Sequence, residues 1–280
     1  MLIDVQNSKD KRGIAIDKVG IKNLSYPIAV LDKKKSLQHT IANINMYVDL
    51  PHYFKGTHMS RFLEVLNEHM GEISIVSFPD ILRKIKKVLN AGSASVEMEF
   101  PYFIEKTAPV SRKKSLMEYV CYYNGTIKNK ARNDKSEKVS DFKSDTFSAG
   151  IEENEESVIK IGVKVPINTL CPCSKEISKY GAHNQRGVVS VSVEFSKLIW
   201  FEDIIEDVES CASSPIYSLL KRSDERYLTE HAYENPRFVE DVVRCVAGIL
   251  KENKDIKWYK VEAENFESIH NHNAYAMIEG

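Results

Sequence analysis

Cysteine is scarce in this chain of 280 residues: there are five, an odd number that does not suit a disulfide framework. Cys121, Cys211 and Cys245 stand in apolar or helical surroundings and read as buried core thiols. No apolar run approaches the roughly 18 residues of a membrane span. The opening MLIDVQNSKDKRG lacks the apolar core of a secretory signal. A cytoplasmic protein is therefore expected, with no membrane partner. There is no GxGxxG or Walker loop, which excludes the nucleotide-binding α/β domains built on them. No serine-triad signature occurs, and PCPC departs from the P-C-x-x-C of zinc deaminases. A formal net charge of −1 supplies no global field for nucleic acid, so an anionic substrate must meet a local cluster.

What is present is the composition of an ordinary soluble globular protein, 42% hydrophobic and 28% charged. The length stretches one domain and suits two. Residues 1–35 are polar and basic and read as an extended N-terminal arm. Alternation predicts a strand over 39–51, and apolar spacing a helix over Met59–Met70. A second helix runs from about Pro79 to Gly92, followed by strands over 95–105 and 115–128. The charged, small-residue stretch 129–157 reads as a long hairpin loop or a linker. Strands over 157–167 and 188–200, helices over 201–220 and 237–252, and a terminal strand pair complete the chain. The plan of strands, two helices and strands occurs twice, which points to an internal duplication. An α+β fold follows: an N-terminal module over 36–128 and a C-terminal one over 158–280, each an antiparallel β-sheet with two helices packed on one face.

The chemistry concentrates in PINTLCPCSKEISKYGAHNQRG (166–187), which brings Cys171, Cys173, His183 and Arg186 close in sequence. Thiolate and imidazole are ligands that zinc and similar metals prefer. A single proline between the cysteines does not suit two sulfurs on one tetrahedral metal. One ligand and an open position fit a catalytic metal; a free, buried cysteine pair is the competing reading. His270 and His272, read on an exposed strand edge, share a face. Glu225 is a carboxylate ligand, a general base or part of a solvated turn. Glu240 lies in the apolar stripe of the last helix, where a purine or pterin edge would satisfy it, or at the stripe's margin as a helix N-terminal charge. Lys55, Thr57, His58, Ser60 and Arg61 form an anion site at a helix start, or a plain helix capped by Ser60.

Together, KGTHMSRF (55–62), the 166–187 segment, LLKRSDERYLTEHAYENPRFVEDVVR (219–244) and FESIHNHNAY (266–275) closely resemble type IB GTP cyclohydrolase. VQNSKDKRGIAIDKVGI (5–21) is similar to that family's N-terminal signature. The resemblance implies tandem tunnelling-fold modules in a homotetramer with active sites between subunits. It implies conversion of GTP and water into 7,8-dihydroneopterin triphosphate and formate, the first step of tetrahydrofolate synthesis. It also implies a divalent metal ion, with Mn, Fe and Zn all compatible. By motif, Cys171 would be the metal-bound cysteine, His183 and Glu225 would complete the coordination, and His270 would be the fourth contributor ahead of His272 and Glu267. Glu240 would anchor guanine. Lys55, His58, Arg61 and Arg186 are assigned to substrate from their charge alone. The rivals are another tunnelling-fold enzyme, either an archaeal-type cyclohydrolase or a nitrile reductase, and a non-enzymatic binding module.

Overall fold

A long antiparallel hairpin opens the described chain. Its strands are β1 (Ile16–Asp32) and β2 (Ser36–Leu50), in register from Asp32↔Ser36 to Ile16↔Leu50 with shifts near Val19 and Leu24. Asp32 builds the turn: its carboxylate accepts the N–H groups of Lys34 (2.8 Å) and Lys35 (2.7 Å). Ser36 then takes a left-handed φ of 70°. The arm expected for residues 1–35 is thus corrected over 16–32. Alternation misses β1 because its buried apolar side chains sit only near its end, at Ile28, Ala29 and Val30, while Ile16 is exposed.

The computed structural model describes residues 5–6, 8–69, 73–130 and 154–280. Met70, the end of one expected helix, and most of the 129–157 stretch lie outside them. Two compact units result, Met1–Phe100 with Tyr122–Lys160, and Pro101–Cys121 with Ile161–Gly280. They are interleaved rather than consecutive. The reason is that β3 (Ser93–Thr107), β4 (Lys114–Asn129) and β5 (Glu155–Leu170) each run out of one unit into the other. No helix among the described residues is long and apolar enough to cross a membrane.

In the first unit β2 pairs antiparallel with β3, and helices α1 (Ser60–Glu68) and α2 (Phe78–Val88) bury their apolar stripes. Phe78, Ile81, Leu82 and Ile85 of α2 are fully buried, each stabilising the fold by roughly 1.5–3 kcal/mol. The helix reaches this depth because Gly125 of β4 has no side chain. A Cβ there would stand 2.4 Å from Phe78 and 2.7 Å from Leu82. Phe78 and Phe100 both pack on Tyr123, with centroids 5.9 and 5.0 Å away. Lys86 of α2 meets the buried Glu155 and donates to Asn129 Oδ1 at 2.7 Å, and Arg83 Nε stands 4.0 Å from the same carboxylate. The same strand ends are tied by Lys130 N–H donating to Asn154 O (2.8 Å).

In the second unit β6 (Asn184–Phe195) pairs with β8 (Ile256–Asn265), and β8 with β9 (Ala274–Glu279), all antiparallel. Helix α4 (Phe201–Cys211) stops short of the expected residue 220, because Ser213–Pro215 turns away to form the short strand β7 (Ser214–Pro215) on β5. An unexpected helix, α5 (Arg222–Glu234), buries only Asp224 and Ala232, so it leaves no apolar periodicity to read. Helix α6 (Val239–Glu252) buries Val239, Val242, Val243, Val246, Ala247 and Leu250. Cys211 and Cys245 are joined as a disulfide with Cα atoms 5.7 Å apart, which corrects their reading as free thiols. The adjacency of α4 and α6, invisible in sequence, brings them within bonding reach. Cys121 is a buried free thiol as expected.

Glu155→Ala should destabilise the protein by about 3–5 kcal/mol, because Lys86 would be left buried without its counter-charge. Urea unfolding will measure this, and Lys86→Met with Glu155→Leu should restore much of the loss.

Candidate active site

The end of β5 delivers Cys171, and β7 holds that end in place. Leu170 N–H donates to Ser213 Oγ (3.0 Å), and Ser213 N–H donates to Asn168 O (3.1 Å). Cys171 then caps the short helix α3 (Pro172–Ile177), its sulfur accepting the Ser174 N–H at 3.5 Å. Pro172 at the first helical turn has no N–H to leave unpaired. The loop closes on itself: Cys171 N–H donates to His183 O at 3.0 Å. Ser174 Oγ donates to Cys171 O (3.1 Å) and accepts from His183 N (3.2 Å). The half-buried thiol of Cys171 and the imidazole of His183 therefore belong to one clasped loop, while Cys173 is exposed on α3.

The histidine loop lies against this one. Ser268 Oγ is 3.5 Å from His183 Nδ1, and Phe266 N–H donates to Arg186 O at 2.9 Å. His270 and His272 occupy bends between β8 and β9, not the expected strand edge. Their rings nonetheless share a face, stacked with centroids 5.2 Å apart and planes 19° from parallel. The close approach at this end uses Gly187, paired with Asn265 in the β6–β8 register. A Cβ on Gly187 would stand 2.5 Å from Asn265 Oδ1 and 3.1 Å from Glu264 O, so a larger residue would have to displace that buried amide.

Two acidic candidates sit on helix first turns. Glu225 is exposed on α5, next to Asp224, which is completely buried. Asp224 accepts three backbone N–H groups at 2.8 Å, from Val110, Ser111 and Lys221. It thereby fixes the start of α5 to the β3–β4 turn. Burial alone would raise this carboxyl, but hydrogen bonds from Ser111, Lys221 and Val110 outweigh it and hold the group well below the usual carboxylate range. Sequence reading missed Asp224, whose only signal was its place three residues after Lys221 at a helix start. Glu240 is exposed on α6, outside the buried stripe, so within one chain it stands as a first-turn charge beside the helix dipole.

The basic cluster belongs to the first unit. Lys55 is exposed and His58 half-buried ahead of α1. Ser60 is not the cap: the N-cap is Met59, without a side-chain cap bond. Arg61 donates from its guanidinium to Val88 O (3.0 Å), at the end of α2. Arg186 is exposed on β6.

Among the described residues no three His, Cys, Asp or Glu side chains converge as a metal site. Cys171 and His183 do fit a metal as a thiol and an imidazole on one loop. Among the described residues, hydrogen bonds fall on His183 Nδ1 and none on Nε2. Glu225 and His270 are not gathered with them. A cavity of about 370 Å³ lies between Tyr180, Ala182 and Asn184 of the loop and Thr229, Glu230 and Tyr233 of α5, and neither Cys171 nor His183 lines it.

A family profile described as type I GTP cyclohydrolase, FolE2, matches residues 2–144 and again 136–276. The chain belongs to this family. A GTP cyclohydrolase FolE2 of Syntrophus aciditrophicus is 57% identical over 278 residues, covering 99% of each chain. One from Citrifermentans bemidjiense is 56% identical over 99% of this chain and 94% of that one. One from Thermosipho africanus is 56% identical over 98% and 96%. In fold the chain is similar to a urate oxidase of Bacillus sp. TB-90, with TM-score 0.54, 8% identity, and 95% and 99% of the two chains covered. A uricase from Bacillus fastidious gives 0.53, at 6% identity over 97% and 94%. The tandem tunnelling fold is thus established alongside the family, and the double profile match agrees with the repeated plan.

The folded carboxyl of Asp224 lies below the unfolded value of about 3.9. Its ionisation therefore stabilises the fold above that pH, and the contribution is lost as pH falls toward the depressed folded value. Asp224→Asn should be less stable than the parent at neutral pH, and the gap in urea midpoint should narrow on acidification. A gap independent of pH would contradict this role.

Proposed function

We propose that the protein is a GTP cyclohydrolase I, converting GTP and water into 7,8-dihydroneopterin triphosphate and formate. The carrying observation is the clasped loop that sets Cys171 and His183 together in a chain of this family. Cys171, His183, Glu225 and His270 would hold a divalent metal, manganese, iron or zinc. The metal would supply Lewis acidity, which lowers the pKa of water from about 15.7 toward about 7. Among the described residues no third His, Cys, Asp or Glu converges with Cys171 and His183, which supports sites completed between the subunits of a homotetramer.

The remaining work falls to side chains. Glu240 would offer both carboxylate oxygens to the N–H donors along the edge of guanine, which orients C8 of the imidazole ring for hydrolysis. Opening that ring requires protons at N7 and N9. With His270 on the metal, the exposed His272 stacked on it would carry them, one ring nitrogen accepting and releasing each proton. Lys55, His58, Arg61 and Arg186 are the triphosphate candidates; Arg61 also donates to Val88 O at the end of α2. A cytoplasmic enzyme is the reading in keeping with this substrate, since GTP is abundant there.

Metal-free protein given GTP with Mn²⁺, Fe²⁺ or Zn²⁺ separately should release formate and a pterin that fluoresces on oxidation, only when metal is present. Neither product with any metal would overturn the assignment. Cys171→Ala should lose turnover while its circular dichroism and unfolding midpoint stay those of the parent. Glu240→Gln should raise KM for GTP by about 10- to 100-fold, the worth of one charged hydrogen bond, with metal affinity unchanged. An unaltered KM would remove Glu240 from guanine recognition.

A further inference from the structure

Gln185 is buried beneath the clasped loop, 6% exposed, in a place where leucine or methionine would pack without any polar group to satisfy. Both ends of its amide are used. Oε1 lies 3.0 Å from His183 Nδ1, and Nε2 donates to Thr169 Oγ1 at 3.0 Å. Thr169 is itself fully buried on β5, and Gln185 is on the neighbouring strand β6, so sheet backbone anchors the relay and not the loop.

We propose that Gln185, held by Thr169, is a positioning residue that selects the Nδ1–H tautomer of His183. The amide oxygen can only accept, so a hydrogen bond at 3.0 Å requires the proton on Nδ1. A neutral imidazole protonated there carries its lone pair on Nε2, the nitrogen on which no hydrogen bond falls among the described residues. The amide nitrogen meets Thr169 Oγ1 and the oxygen faces the histidine. A reversed amide would present N–H donors to Nδ1 and move the imidazole proton to Nε2, closing that nitrogen to a metal. The Gln185 amide, carried on β6, therefore sets the proton position of His183 on the loop that holds Cys171.

The consequence for metal rests on the reading of His183 as a ligand, but the tautomer does not. The test starts with metal-free protein labelled with ¹⁵N-histidine, examined by NMR at mildly alkaline pH and assigned by comparison with His183→Asn. The parent should show His183 with Nδ1 protonated and Nε2 bare. Gln185→Leu should shift it toward the Nε2–H form, and Gln185→Glu, whose carboxylate can only accept, should keep the parent form. An Nε2–H histidine in the parent, or an unchanged tautomer in Gln185→Leu, overturns the proposal. If the leucine variant does not fold, the parent and glutamate spectra decide.

Titration with Mn²⁺ alone should then give affinity about 10- to 100-fold weaker for Gln185→Leu, recovered largely by Gln185→Glu. Equal Mn²⁺ affinity for the leucine variant and the parent overturns the link to metal. Mn²⁺ binding unaffected by Cys171→Ala would instead sink the metal reading, while the tautomer spectra would still decide the role of Gln185.

Discussion

One backbone hydrogen bond, from Cys171 N–H to His183 O, is the constraint on which the site depends. Twelve positions of chain separate the two residues, and without that closure their side chains would have no reason to share a location. The bond works because both ends are already fixed. Cys171 leaves β5 where β7 pairs with it, and His183 precedes β6 by a single step. The loop contributes the reactive groups, while the strands supply their precision.

The buried polar groups of the second unit serve the same end. Asp224 converts a surface turn between β3 and β4 into an anchor for α5, and so places Glu225 without touching it. Lys106 and Tyr119, from the two strands of that hairpin, both donate to Glu209 of α4 at 2.7 Å, and Lys106 lies 4.2 Å over the Tyr217 ring. Burial lowers the Lys106 pKa, and the Glu209 carboxylate opposes that effect. Such groups are costly unless satisfied, and here nearly every donor has an acceptor. Their cost is tolerated because they fix one relative setting of helix and hairpin, which apolar packing alone does not specify as narrowly.

The legible part of this chain was whatever repeats with a period. Helices α2 and α6 were read because their apolar residues recur every three or four positions, and strands β2 to β6 because theirs alternate. Helix α5 and strand β1 were not, since α5 buries a single alanine and one aspartate, and β1 buries apolar side chains only near its end. The Cys171–His183 pairing was legible from ligand chemistry. Gln185, Thr169 and Asp224 were not, because a buried glutamine or aspartate looks like any surface residue until its neighbours are known. Glu240 was open in the sequence between the apolar stripe and its margin, and its exposure on α6 sets it at the margin.

The Cys211–Cys245 bond has a reach beyond the two helices it joins. It closes a loop of 34 positions that contains all of α5 and the first turn of α6, and therefore both Glu225 and Glu240. In the chain-entropy picture, a loop of that size takes about 4 kcal/mol from the unfolded state's advantage. The two carboxylates thus ride on a segment whose ends are tethered even when its own helices are not formed. In a compartment that keeps thiols reduced, the same segment would depend wholly on its packing and on Asp224. The scaffold for one part of the site would then answer to the redox state of its surroundings, while the Cys171–His183 loop, outside the tether, would not.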